Sequence, residues 1–382
     1  MRRTIRNLIT LAACAVLFAA AAHADIAAFN AAVKANNFKT AAAEAAKTWP
    51  TLDKSRDDIV IIAQEFGFSA FVAKDYAAAR TYADFAVAAA STSPENRTIA
   101  VVLATLAAHK VKPTADTRAA LAAALTARTA FPGLDNITFL GADALLAYDM
   151  EKADWEDATE SARLLTNFTD AGGASFLVSK TRARLYWAIA DYMLSKKATA
   201  VAGLHSLQDD LVRDINAAAS DERAKPMIGL YWEIVAWREL TDSHLRARGI
   251  LPNKPDGKQD EEEAEEDDPE WAPTTRAKRL MGDRTDTDVC KTQFDMTRIP
   301  NYPSSALYSG FLGSVILQVD IDAAGRASNP EILTAVPEKF FGKAVLDSVR
   351  YIRVTPGKPW DAASCSLAQT GKRITFKFMI PR

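Results

Sequence analysis

Apolar residues recur at helical spacing from residue 25 to about residue 250, where Pro, Gly, Asn and Asp separate the apolar stretches. Such punctuation predicts successive helical hairpins, because an amphipathic helix repeats its apolar positions every three or four residues. The first 250 residues hold 61 alanines and the remainder holds 12, which favours a helical N-terminal part and a C-terminal part with another fold. We therefore predict an all-α array over residues 25–250.

Small and apolar residues recur within this array in a repeated order. They run from Ala63 through Gly67 and Ala70 to Ala86, and a second copy runs from Ala142 to Leu165. The order resembles the tetratricopeptide repeat in a degenerate form, since Ala or Phe mostly replaces the Trp and Tyr of its first helix. The resemblance implies four to six stacked helix pairs whose concave surface binds a peptide or protein segment. A plain alanine-rich bundle without a ligand is the alternative.

The first 24 residues have the order of a secretory signal. Arg2, Arg3 and Arg6 precede an apolar run, and Ala22-His23-Ala24 closes it. This order predicts export and cleavage after Ala24, so that residues 1–24 form a signal peptide. The run is short for a membrane span, which needs about 20 residues. The alternatives are a retained signal anchor in the inner membrane and lipidation at Cys14.

The helical pattern ends near residue 250, and a charged stretch follows. Eight of the nine residues from Asp260 to Asp268 are acidic. Like charges at this density repel each other, which predicts an acidic, disordered linker over residues 251–284. Calcium binding is the other interpretation of such a run, but the order of oxygen ligands around a central Gly is missing.

The C-terminal residues alternate between apolar and polar positions. Residues 313–322 read as a half-buried strand, Asp322 to Gly325 supplies a tight turn, and a second strand continues to Ala335. Residues 341–352 place their apolar side chains on one helical face, and residues 374–380 alternate again. We predict a small α+β domain over residues 285–382, with the helix on the apolar face of an antiparallel sheet. The fold class is then multidomain.

Composition and motifs exclude several kinds of function. A formal net charge of -2 gives no basic field for nucleic acid. The chain has no hydrolase elbow, dinucleotide fingerprint, phosphate loop or zinc-protease motif, so we expect no catalytic residues, no metal and no cofactor. Only Cys290 and Cys365 remain after the signal is removed, and a disulfide between them is the first interpretation. Two free thiols are the alternative.

An ordered set of residues runs through the C-terminal domain. It includes Tyr302-Pro303, Gly313-Ser314-Val315, Gly325-Arg326 and Val354-Thr355-Pro356. This set resembles the C-terminal domain of the TonB family of energy transducers. The family implies a domain in the Gram-negative periplasm that binds the TonB box, a short peptide of outer-membrane transporters, by strand addition. The resemblance places this site at the segment before the Tyr-Pro pair and on the last strand: Asn301, Tyr302, Ile374, Thr375, Phe376, Lys377 and Phe378. Lys377 is the one outward charge on that strand.

The chain departs from a true transducer in its N-terminal part. It has no Pro-rich rod, and a helical array stands in its place. We therefore expect a periplasmic protein-binding adaptor that supports TonB-dependent transport across the outer membrane. The alternative is a structural envelope scaffold, or a homodimer formed through the C-terminal domain, without energy transduction. An unrecognised hydrolase is a third hypothesis.

Overall fold

The computed structural model describes residues 26–89, 92–251, 273–281, 290–308, 312–336 and 340–379. The predicted signal peptide and the acidic run lie outside the described residues. The chain forms two compact units, the first ending at Ala190 and the second beginning at Asp191.

The first unit is a series of antiparallel helices that pack against their neighbours in sequence. This arrangement confirms the predicted array of helical hairpins. Short 3-10 helices at Trp49–Thr51 and Gly173–Phe176 follow two of these helices. The helices are α1 (Ala27–Lys34), α2 (Phe38–Thr48), α3 (Ile59–Val72), α4 (Tyr76–Ala88), α5 (Pro94–Val111), α6 (Ala115–Arg128), α7 (Asn136–Lys152), α8 (Trp155–Gly172) and α9 (Leu177–Met193), of which the last continues into the second unit.

Local side chains and small residues explain these hairpins. The Asp75 and Asp135 carboxylates each accept a hydrogen bond from the backbone N–H three residues later and so begin α4 and α7. Small residues then let the helices approach closely. A Cβ atom at Gly67 on α3 would lie 2.6 Å from the Leu103 side chain on α5. Gly67 therefore permits the contact between two successive hairpins, as the repeat pattern predicts.

A buried charge links three helices of the first unit. Asp149 on α7 is 1% exposed, and both of its carboxylate oxygens accept hydrogen bonds from the Arg118 guanidinium on α6 at 3.0 and 2.9 Å. The Ser161 hydroxyl on α8 donates to the same carboxylate at 2.5 Å. A buried charge is tolerated when it is paired and hydrogen-bonded in this way, so the group stabilises the array.

The second unit combines two long helices with two small antiparallel sheets. The elements are α10 (Lys197–Ala217), α11 (Asp221–Ala247), α12 (Thr275–Met281), β1 (Cys290–Met296), α13 (Ser304–Tyr308), β2 (Gly313–Ile321), β3 (Ala327–Val336), α14 (Gly342–Leu346), β4 (Ile352–Trp360) and β5 (Gln369–Phe378). One sheet has the strand order β3-β2-β5, and the other pairs β1 with β4. The predicted fold class, an α-helical array followed by a small α+β domain, is confirmed.

Three parts of the second unit differ from the sequence-based expectations. Strands β1 and β4 were not predicted, because their mainly polar residues show no clean alternation. The helix predicted over 341–352 is shorter: α14 ends at Leu346, and a 3-10 turn follows at Val349–Tyr351. Helix α12 lies inside the predicted linker, where the Arg276 guanidinium donates to Asp221 at 2.9 Å and to the Ala218 carbonyl at 2.7 Å. These seven residues are therefore not extended, whereas residues 252–272 lie outside the described residues.

Both faces of the three-stranded sheet are covered. On one face Val315 and Leu317 of β2 pack with Phe341, Val345 and Ile352 into a buried apolar cluster, as the predicted helix-on-sheet arrangement requires. On the other face α11 packs across β2 and β3. Strand β2 is consequently buried on both sides, and Ile316 is only 1% exposed.

Candidate peptide-binding site

Strand β5 forms one edge of the three-stranded sheet. Its residues pair antiparallel with β2, with Thr375 opposite Ile316 and Phe378 opposite Gly313. Within the part of the chain that the structure describes, residues 374–378 pair with no strand other than β2. An edge strand of this kind presents main-chain N–H and C=O groups to an incoming strand. Most of the residues singled out by the sequence therefore lie on such an edge.

The side chains of β5 that face the apolar cluster hold the strand in place. Ile374, Phe376 and Phe378 are 8%, 8% and 6% exposed. The Tyr302 ring meets Phe378 edge to face at 5.8 Å and Phe341 at 5.6 Å between ring centroids. Burial raises the pKa of the Tyr302 hydroxyl. The structure thus brings Tyr302 to the C-terminal end of β5, as the resemblance implies, and these four side chains belong largely to the core.

Asn301 lies apart from this strand. It is exposed and lines a groove beside Arg350 and Tyr351, on the side of the sheet where β3 begins. Tyr302 therefore packs against the end of β5, whereas Asn301 lines the groove beside Arg350 and Tyr351.

The side chains on the other face of β5 reach α11. The Lys377 ammonium donates to the Ser243 hydroxyl at 2.9 Å and lies 3.6 Å from a Glu239 carboxylate oxygen. The Arg373 guanidinium lies 4.0 Å from the centre of the Trp232 ring, within the range of a cation-π contact. Lys377 is therefore an anchored charge with a carboxylate partner and not simply an outward one.

Sequence reasoning missed this contribution of α11. Trp232, Glu239 and Ser243 are spaced by seven and four residues, which places them on one face of a helix. This spacing was the feature of the sequence from which the shared helix face could have been predicted. It does not indicate that the face packs on β5, because β5 follows about 130 residues later in the chain.

Strand β1 flanks the same edge region. The Phe294 ring lies 6.2 Å from the Phe376 ring, and Phe294 is 45% exposed. The Lys372 ammonium donates to the Thr292 hydroxyl at 3.1 Å. The predicted disulfide between Cys290 and Cys365 is confirmed, with their Cα atoms 5.4 Å apart. It ties the start of β1 to the segment that leads into β5.

The turn between β2 and β3 positions β5 and β4. The Asp320 carboxylate accepts hydrogen bonds from the Asn329 side-chain amide and from the Gly371 backbone N–H, both at 2.9 Å. These two hydrogen bonds lower the pKa of Asp320. In the turn, Gly325 has a φ of +73°, and its carbonyl accepts from the Val354 N–H at 2.8 Å. The tight turn predicted from Asp322 to Gly325 is confirmed, and the Gly325 N–H donates to the Asp322 carbonyl at 2.9 Å.

Replacing Gly325 by alanine is expected to destabilise the second unit by on the order of 2–3 kcal/mol, because the left-handed backbone and the new contact both cost energy. The added Cβ atom would lie 2.0 Å from the Val354 carbonyl oxygen. Urea denaturation of the full chain measures the change. The same substitution at Gly133, where nothing lies within 4 Å and φ is +91°, isolates the backbone cost. Equal losses at the two positions would contradict the proposed clash with Val354.

The Asp320→Asn variant is expected to lose stability near neutral pH and to match the parent in acid. A carboxyl group with a lowered pKa stabilises the fold above its ordinary pKa, here 3.8, and this contribution disappears as the pH falls through the folded value. Thermal midpoints of parent and variant from pH 7 to pH 2 test this. The gap between them should close below about pH 4. A gap that stays constant across the range would show that the charge of Asp320 contributes nothing.

Comparison with known families supports the resemblance seen in the sequence. Residues 298–377 match the family described as Gram-negative bacterial TonB protein C-terminal. The match covers about a fifth of the chain and includes Tyr302, strands β2 to β4 and most of β5. No curated protein matches the sequence. The chain therefore carries a TonB-type C-terminal domain, which is associated with transport in the Gram-negative envelope, after a helical array that this match does not cover.

The described residues were also compared with the requirements of a membrane-spanning helix and of a metal site. In the described residues, no helix combines the length and apolar character needed to cross a membrane. The same residues contain no group of three or more His, Cys, Asp or Glu side chains arranged to hold a metal ion.

Proposed function

We propose that the second unit binds an extended segment of another envelope protein by adding it as a strand to β5, and that the protein is a periplasmic adaptor in TonB-dependent transport. The observation that carries the proposal is the edge of β5 between Ile374 and Phe378, within the region similar to the TonB C-terminal domain. Main-chain hydrogen bonds along such an edge supply affinity, and alternate side chains supply specificity.

The surroundings of β5 indicate which peptides fit best. An added strand turns alternate side chains toward opposite faces of the sheet. On one face the exposed Phe294 ring beside Phe376 offers apolar contact. On the other face Lys377 and Glu239 offer a polar surface. We therefore expect a preference for peptides with apolar and polar residues in alternation.

The same proposal includes a binding role for the helical array and no catalytic activity. The array has the hairpin order of repeats that bind protein segments in their concave surface. The three histidines of the described chain have structural partners: His109 contacts the Thr117 hydroxyl at 3.1 Å, His205 lies beside Asp242, and His244 contacts the Tyr192 hydroxyl. These partners favour packing roles for the three rings.

Export through a cleaved signal peptide is part of this function. The mature protein is expected to begin at Asp25 in the periplasm, because Ala22-His23-Ala24 follows a short apolar run. N-terminal sequencing of the protein from fractionated cells tests this. Met1 at the N-terminus of protein in the membrane fraction would contradict it and support a retained anchor.

Strand addition can be tested by disulfide trapping on β5. With Cys290 and Cys365 paired and Cys14 replaced by serine or removed with the signal peptide, a Lys377→Cys variant carries one reactive thiol. The probes are synthetic TonB-box peptides, each with a single cysteine at one successive position. A strand bound beside β5 in one register should be trapped mainly at the peptide position opposite residue 377. The positions immediately before and after it should trap poorly, because their side chains turn to the other face of the sheet.

The matched control is Lys343→Cys, which places a thiol on the exposed surface of α14. It should form few adducts at every peptide position. Trapping that does not depend on the position of the peptide cysteine, or equal trapping by both variants, would reject strand addition at β5. A covalent dimer of Lys377→Cys in the absence of peptide would support the alternative, in which this edge pairs with a second copy.

A further inference from the structure

A groove of about 670 Å³ lies on the side of the sheet opposite β5. Its walls are the segment from Arg298 to Asn301, the start of β3, and the turn that ends at Tyr351. Two apolar residues stand at its rim: Ile299 is 78% exposed and Leu346 is 40% exposed. Together they give the rim of this concave surface an apolar contact area that a ligand could cover.

Two arginines give the groove a positive charge. The Arg298 guanidinium lies 5.6 Å from the centre of the Tyr351 ring and donates to the Tyr351 hydroxyl at 3.5 Å. The Arg350 guanidinium lies 4.9 Å from the same ring. The hydrogen bond from Arg298 and the charge of both arginines lower the pKa of Tyr351. One aromatic ring therefore positions two guanidinium groups at the groove.

These guanidinium groups have no carboxylate partner among the residues that the structure describes. The acidic residue that lines the groove is Asp347, and its carboxylate accepts from the Lys343 ammonium at 2.8 Å. Guanidinium groups bind carboxylates through paired, charge-assisted hydrogen bonds. The groove is thus complementary to a ligand that brings carboxylates of its own.

Strand addition at this part of β3 is disfavoured. Pro330 within β3 has no N–H to donate, and Arg326, just before β3, forms a bridge with Arg353 of β4. A ligand here must be recognised mainly through its side chains. The rim of Ile299 and Leu346 requires an apolar group between or beside the carboxylates.

We propose that this groove is a second binding site, separate from β5, for an extended acidic segment of a partner protein in which carboxylate side chains flank an apolar one. Arg298 and Arg350 would bind the carboxylates, and Ile299 and Leu346 would contact the apolar side chain. The proposal does not depend on strand addition, since it uses the opposite side of the sheet.

The test uses fluorescein-labelled nine-residue peptides of alternating Glu and Leu, and the same peptides with Gln in place of Glu. Anisotropy with the full chain measures binding at low and high salt. The Glu peptide should bind at least about tenfold more tightly than the Gln peptide, and high salt should weaken it. Equal binding of both peptides would overturn the proposal.

Charge reversal locates the site on the molecule. The Arg298→Glu/Arg350→Glu variant should lose about tenfold or more in affinity for the Glu peptide. Lys358→Glu makes the same kind of change on exposed β4, outside the groove, and should alter binding less than about threefold. If charge reversal impairs folding, the Arg298→Gln/Arg350→Gln variant replaces it, because it removes both charges and keeps side chains of similar packing. It should show the same loss of affinity for the Glu peptide. Unchanged affinity in either double variant overturns the site, as does binding of inorganic phosphate or anionic vesicles in preference to the peptide.

Discussion

Removal of the Cys290–Cys365 disulfide is expected to lower the free energy of unfolding of the second unit by about 4 kcal/mol. The two cysteines are separated by 75 residues, so the bond closes a long loop and restricts the unfolded chain. In the folded protein it joins β1 to the segment before β5. We therefore expect the largest loss of order where β1 and β5 approach each other, at Thr292 and Lys372.

Chemical denaturation of the parent and of a Cys290→Ser/Cys365→Ser variant measures this loss. Hydrogen exchange read by mass spectrometry separates the two units, and protection should fall in peptides from β1 and β5 while α3 to α6 remain unchanged. A reducing agent should destabilise the parent and leave the double variant unaffected, which provides the matched control. A loss below about 1 kcal/mol would mean that the bond constrains a loop with residual order in the unfolded state.

This prediction depends on an element whose position the sequence did not reveal. The pairing of the two cysteines followed from their number and from the expected export. The strand that carries Cys290 was missed, because Thr292, Gln293 and Asp295 give β1 a polar sequence. Its partner β4 lies about 60 residues later. Such a pair is stabilised by long-range contacts, and local periodicity does not report them.

The helical array was predictable for the opposite reason. Its contacts are between neighbouring helices, and its caps and small residues act within a few positions. Asp75 begins α4 through Ala78, and Gly67 permits contact with Leu103 of the next hairpin. Each signal lies within or next to the repeat that uses it, so reading along the chain recovers the fold.

The candidate sites were predictable from the sequence only in part. The alternation of residues 374–378 predicted a strand, and the family resemblance implied that Asn301 and Tyr302 lie beside it. The structure has the strand at a sheet edge with the Tyr302 ring at its end, but Asn301 lines the groove. The basic groove was not predicted, because Arg298 and Arg350 are about 50 residues apart and meet only through Tyr351. A local sequence pattern does not show that side chains far apart in the chain meet at one ring.

The second large effect is expected at Ile316, where we predict that Ile316→Asp lowers the free energy of unfolding by about 4–5 kcal/mol. Ile316 is 1% exposed although it alternates with Val315 and Leu317, which face the apolar cluster. It must therefore be buried on the face that α11 covers, where Lys377 meets Glu239. A carboxylate at this position would lose both its hydration and the apolar contacts of isoleucine.

Hydrogen exchange distinguishes this cause from general damage to the sheet. If α11 and the sheet stabilise each other, Ile316→Asp should reduce protection in α11 as well as in β2. The control is Ile299→Asp, the same substitution at a residue that is 78% exposed, with an expected change of less than about 0.5 kcal/mol. Reduced protection in β2 with an unchanged α11 would show that the helix covers the sheet without being stabilised by it. In that case a peptide added to β5 would stabilise the sheet and leave the stability of α11 unchanged. If both elements lose protection together, α11 and the sheet unfold as one cooperative body, which the contacts of Trp232 with Arg373 and of Glu239 with Lys377 join at β5.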